Sequence, residues 1–139
     1  MIPGARAERG SVIPRTRAER GSAIVDFVLV GSLLTLLFVA LLQVAVVLHV
    51  RNVLADCATE GARYGALAGQ NPAAGAARTR DLIAADLSSA YARDVRAGHA
   101  RQGALDTVVV RVRAPLPAIG LIGFGRVITV AGHAVTEQP

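Results

Sequence analysis

The residues whose types and spacing point most directly to chemistry are Gly21 and Asp26, separated by four uncharged positions, Ser22, Ala23, Ile24 and Val25. A glycine has no side chain, so the backbone beside it can be approached closely and can extend without steric cost. Asp26 is an ionisable group where a long apolar run begins, and a charge in that setting is expensive unless it is paired or functional. A pair of opposite charges is far cheaper to bury than either alone. The chemistry open to these residues is therefore backbone recognition and charge pairing. The plainer alternative for Asp26 is a carboxylate that reaches back into the headgroup interface.

The other reactive side chains are dispersed. His49, His99 and His133 lie too far apart for metal-ligand spacing, which usually sets ligand pairs two to five residues apart, so no metal is expected. Asp81, Asp86, Asp94 and Asp106 read as solvated carboxylates, and neither a nucleophile–base pair nor a phosphate loop is visible. No catalytic residue, cofactor or small-molecule substrate is expected. Cys57 is the only cysteine, which excludes an internal disulfide; it reads either as a packed small residue or as half of an intersubunit disulfide. All fifteen basic residues are arginines, giving a net charge of +5. They are scattered, there is no Trp, and Tyr and Phe together number five, so no nucleic-acid partner is expected.

The element that must position Gly21 and Asp26 is the apolar run itself. Residues 27–48 carry no charge, and their only polar side chains apart from glycine are Ser32, Thr35 and Gln43. That length crosses a hydrocarbon core of about 30 Å as a helix. Residues 1–21 hold five Arg against two Glu, whereas the far flank, with Arg51, Asp56, Glu60 and Arg63, is balanced. The excess of arginine places the N-terminus in the cytoplasm and the rest outside. The run is longer than the 7–15 residues of a secretory signal and ends without a small-x-small site. Three segments follow: a basic leader over 1–21, a membrane helix over 22–50 and an extracytoplasmic part over 51–139. The hexapeptide Arg-Ala-Glu-Arg-Gly-Ser occurs twice, at 6–11 and 17–22, and only the second copy leads into the apolar run.

A basic leader ending in Gly21, a short spacer and Asp26 at the mouth of a single N-terminal span resembles the processing site of type IV prepilins. The resemblance implies a cut between Gly21 and Ser22 by a membrane-embedded prepilin peptidase, leaving Asp26 at the fifth position of the mature chain. Its partner would then be the new α-amino group of Ser22, on the same or a neighbouring subunit. A second resemblance rests on Val25-Asp26-Phe27 and on Glu60-Gly61-Ala62-Arg63 past the span. Together these are similar to the TadE-like proteins, minor prepilin-like components of the tight-adherence (Flp-type) pilus machinery. The similarity covers about residues 20 to 68 and implies a structural subunit that works with other pilin-like subunits and an assembly platform. Asp26 stands where that family commonly has Glu, and Gly31-Ser32 where it often has Pro.

Past the membrane, Val50, Leu54, Cys57, Gly61, Tyr64 and Ala68 recur at alternating steps of four and three, a narrow seam suited to packing against another helix. A helix of roughly forty residues, about 60 Å long, is expected. Gly61 and Ala62 are small enough for close helix approach, and Glu60 can pair with Arg63 across one turn. Asn71-Pro72 reads as a cap and first-turn proline of a second, amphipathic helix whose stripe is Ile83, Leu87, Tyr91 and Val95. Residues 107–113, with Val108, Val110 and Val112 set against Val109, Arg111 and Arg113, and residues 127–135 read as strands. The linker between them is too long for a tight hairpin, and its Leu116, Ile119, Leu121, Ile122 and Phe124 form a candidate contact patch or core filling. The fold class expected is α+β: a long N-terminal transmembrane helix continuing outside, a second helix and a small antiparallel sheet. The competing functional reading is an uncleaved, signal-anchored envelope protein that binds a surface partner through its outer domain.

Overall fold

The computed structural model describes residues 3–4, 10, 17–117 and 125–137. Among these residues are two helices, a short 3-10 turn and three strands, an α+β arrangement. The chain divides into two units, Met1–Ala40 and Leu41–Pro139.

Helix α1 spans Arg17–Ala66, fifty residues rather than roughly forty. It begins inside the basic leader because nothing in residues 17–21 breaks a helix except Gly21, and one glycine costs only about 1 kcal/mol. Gly21 is thus helical and not extended. From Ile24 to Val44 the large apolar side chains point into open space, Phe27 being 79% exposed. A helix that is apolar all round and unburied is long and apolar enough to cross a membrane. Ser32 Oγ donates to the Val28 carbonyl at 2.7 Å and Thr35 Oγ1 to the Gly31 carbonyl at 2.8 Å, so both hydroxyls are satisfied inside the helix.

The second unit is a two-layer structure, with helices on one face of a sheet. Its part of α1 buries Val50, Leu54, Cys57, Ala58, Gly61, Ala62, Gly65 and Ala66. Helix α2, Pro72–Asp86, starts as the sequence suggests: Asn71 Oδ1 accepts the Ala74 N–H at 2.9 Å, and Pro72 opens the first turn. It ends earlier than its apolar spacing suggests. The Leu87 N–H closes on the Ile83 carbonyl at 2.9 Å, Ser88 is extended, and the 3-10 turn Ser89–Ala92 follows. Tyr91 therefore lies in that turn and Val95 in a strand, so the stripe read as one helix face belongs to three elements.

Strands β1 (Asp94–Gln102), β2 (Leu105–Pro115) and β3 (Val127–Val135) form an antiparallel sheet in the order β1-β2-β3. β1 was not expected from the sequence. It joins β2 through Gly103-Ala104, where Gly103 takes φ +62, the left-handed first position of a two-residue hairpin. β2 and β3 pair from Thr107↔Val135 to Pro115↔Val127, and Leu116 N–H extends the ladder to the Arg126 carbonyl at 3.0 Å. Leu116 packs at the edge of the core. Ile119, Leu121, Ile122 and Phe124 lie outside the described residues. Leu54, Ile83, Val108, Val110 and Val112 are the largest fully buried apolar side chains and join α1, α2 and the sheet in one core.

Candidate functional site

In the N-terminal unit, Gly21, Ser22, Val25, Asp26 and Phe27 all lie on α1 and are exposed. A Cβ added at Gly21 would meet nothing within 4 Å, so the fold of this chain places no demand for glycine there. Asp26 is the only charged residue between Arg20 and Arg51. It forms no ion pair among the described residues. Ser22 and Asp26 are four apart on a helix, which puts them on one face.

The second set of motif residues belongs to the second unit. Gly61 and Ala62 face inward, whereas Glu60 and Arg63 face solvent. A Cβ at Gly61 would collide with the Thr79 side chain and lie 2.6 Å from the Gly75 carbonyl oxygen. A Cβ at Gly75 would lie 2.6 Å from the Gly61 oxygen and 3.2 Å from the Gly65 Cα. Gly61, Gly65 and Gly75 thus set a backbone-to-backbone crossing of α1 and α2. The seam found in the sequence is accordingly split: Leu54, Cys57 and Gly61 are buried within the chain's own second unit, whereas Tyr64, 37% exposed, and Ala68 face out. Glu60 and Arg63 form no ion pair; among the described residues only Arg96–Asp94 and Arg101–Asp106 do.

Sequence reasoning missed three partners of this crossing. Thr79 is fully buried, its Oγ1 donating to the Gly75 carbonyl at 2.9 Å, with the Cys57 carbonyl 3.4 Å away. Gly75 and Gly132 are the others; a Cβ at Gly132, on β3, would overlap the Ala58 and Thr59 backbone of α1. The isolated Gly75 inside a helical stretch was the available signal, since glycine is costly there without a packing reason.

Cys57 is 3% exposed and its Sγ lies 3.8 Å from Asp86 Oδ2. Burial first, then the Asp86 charge and its hydrogen bond, then Asp56, push the thiol up to about 11. It is a packed, protonated group with no surface on which an intersubunit disulfide could form. His49, His99 and His133 are each exposed, and no three metal-ligating side chains come together among the described residues.

Both groups of motif residues sit on one stretch of α1, from Gly21 to Arg63, and that stretch is what a family model recognises. Residues 21–63 match the TadE-like protein family. The TadE-like segment takes in the apolar span and the Gly-Ala turn of the α1–α2 crossing, and leaves α2 and the sheet unmatched. No curated protein and no solved structure matches the chain.

Proposed function

We propose that this protein is a prepilin-like structural subunit of a tight-adherence pilus system, cut after Gly21 by a prepilin peptidase and assembled through α1. The observation that carries this reading is a glycine the fold does not need, five residues before the single charge of an apolar helix in a TadE-like segment. The physical chemistry after a cut is favourable. Ser22 would become the start of the helix, where serine is a preferred residue. Asp26 would fall in the first turn, where a carboxylate meets the positive end of the helix dipole as well as the new α-amino group. Pilin-like subunits and the assembly platform would be its partners, with the N-terminus cytoplasmic and the second unit across the membrane as an outer unit.

One observation favours the uncleaved single-pass anchor instead. α1 is continuous through Gly21, and a peptidase needs an extended strand. That helix must open at its first turn and a half before it can be cut, which is where helices fray. The deciding measurement is the intact mass and N-terminal sequence of the protein purified from its native membrane. A chain beginning at Ser22 is expected, and Gly21→Phe should abolish both processing and pilus formation. A chain that keeps the leader, or a Gly21→Phe variant that is processed and assembled normally, would leave the anchor reading in its place.

A further inference from the structure

The outer unit has two charged faces on which Arg111 and Arg113, and Asp56 and Glu60, form no ion pair among the described residues. On the sheet, the alternation that buries Val110, Val112 and Ala114 turns Arg111 and Arg113 to the opposite side. The register sets Arg96 directly across from Arg111 and Asp94 across from Arg113. Like charges directly opposite in a sheet are destabilising. Asp94 is held by Arg96 at 3.1 Å, while Arg111 and Arg113 form no ion pair among the described residues. Around them the surface is hollowed, one hollow lined by Asp94, Arg96, Arg111, Arg113 and Thr129, another lying over Gly98 and Val109.

On α1, Asp56 is two residues from the fully buried Leu54 and Ala58, and Glu60 is two from Ala58 and Ala62. Two residues are a turn of about 200°, so both carboxylates point away from the sheet. They stand one helical turn apart, again like beside like, and Arg63 on the next turn pairs with neither.

The two faces match in level and in spacing. Gly132 of β3 touches Ala58 of α1, midway between Asp56 and Glu60, and its neighbour Ala131 pairs with Arg111. The basic and acidic faces are thus opposite sides of the same slice of the outer unit. Asp56 and Glu60 are separated by about 6 Å of helix rise, and Arg111 and Arg113 by about 6.8 Å of strand. We propose that the outer unit of one copy docks its Asp56–Glu60 ridge onto the Arg111–Arg113 sheet face of a second copy. Because the two surfaces differ, the contact is head-to-tail and repeats from copy to copy. It extends the reading of the chain as an assembling subunit, but it needs only folded outer units and not a cut at Gly21.

The test uses the full chain in its membrane, with Thr129→Cys on one co-expressed copy and Asn52→Cys on the other, bridged by a flexible bis-maleimide. Both positions are exposed, and the native Cys57 is buried. Crosslinked dimer is expected from the mixed pair. Arg111→Glu with Arg113→Glu on the first copy should lower its yield about tenfold or more, since like charges across an interface cost several kcal/mol. Adding Asp56→Arg with Glu60→Arg to the second copy should restore it, an outcome that misfolding would not produce. Repeating the set with Gly21→Phe separates this contact from processing: the dimer should persist. The proposal is overturned by absence of dimer, by a yield indifferent to charge reversal, or by reversal without rescue. A sheet face that is shielded from maleimide yet gives no dimer belongs to some other anionic partner, and overturns it too.

Discussion

At the scale of single residues, the glycines fall into two kinds that the sequence alone does not separate. Gly61, Gly75 and Gly132 are held by contacts a Cβ would violate, whereas Gly21 faces open space. Gly31 and Gly98 are equally open, so Gly21 is set apart by its place five residues before Asp26 and not by the space around it. Cys57 was legible as a packed residue from its place on the seam, but its chemistry was not, because that depends on Asp86, which approaches from α2. With the thiol raised from 9.0 to about 11, the native state binds its proton more tightly than the unfolded chain. Its contribution to stability is therefore full below about pH 9 and is lost as pH rises towards 11. Alkylation of the native protein should be slow at pH 8 and rise only above pH 10. Asp86→Asn should move that profile to lower pH, as the thiolate loses a repelling neighbour. A profile that keeps its midpoint while all rates rise would indicate loosened packing instead.

Among the elements, α1, α2 and the two valine-rich strands could be read from periodicity and from the Asn71-Pro72 cap, while β1 could not. Its sequence contains Ala97, Gly98 and Ala100, poor strand formers, and it exists because β2 offers a complete ladder to pair with. The end of α2 was hidden for a related reason: Leu87, Tyr91 and Val95 keep helical spacing and all pack on the core, yet they lie past the helix end, in the 3-10 turn and in β1. The α1–α2–β3 crossing brings backbone against backbone in the second unit. Gly132→Ala and Gly61→Ala should each cost about 2–3 kcal/mol or more by overpacking against backbone, measured by chemical denaturation. Gly98→Ala, where a Cβ would meet nothing within 4 Å, should stay within about 0.5 kcal/mol. Equal effects at all three positions would mean that the close approach does not hold the elements together.

For the molecule as a whole, the long apolar helix was the most legible feature, because length and absence of charge are properties of sequence and need no partner. Its large side chains from Ile24 to Val44 are unburied, so in water they would be an aggregation surface and in lipid a solvated one. The protein should remain with membranes after alkaline carbonate extraction. Leu34→Arg with Leu37→Arg should release a substantial fraction, each charge adding about 2.5–3.5 kcal/mol to insertion at the helix centre. Full retention of that variant would show that something other than the apolar run anchors the chain.

The second unit closes only when its last described strand is in place. Gly132 lies against Ala58, and the Glu137 N–H bonds the Ala66 carbonyl at 3.0 Å, so the latest described strand completes the packing of the first helix. Contacts between such distant parts of a chain form late. On the proposed reading, in which the second unit crosses the membrane behind α1, the small-residue face of α1 would wait uncovered until β3 had followed it through. During that interval the outer helix is adhesive and the finished domain does not yet exist, which is when a chaperone or a neighbouring subunit would find it most receptive.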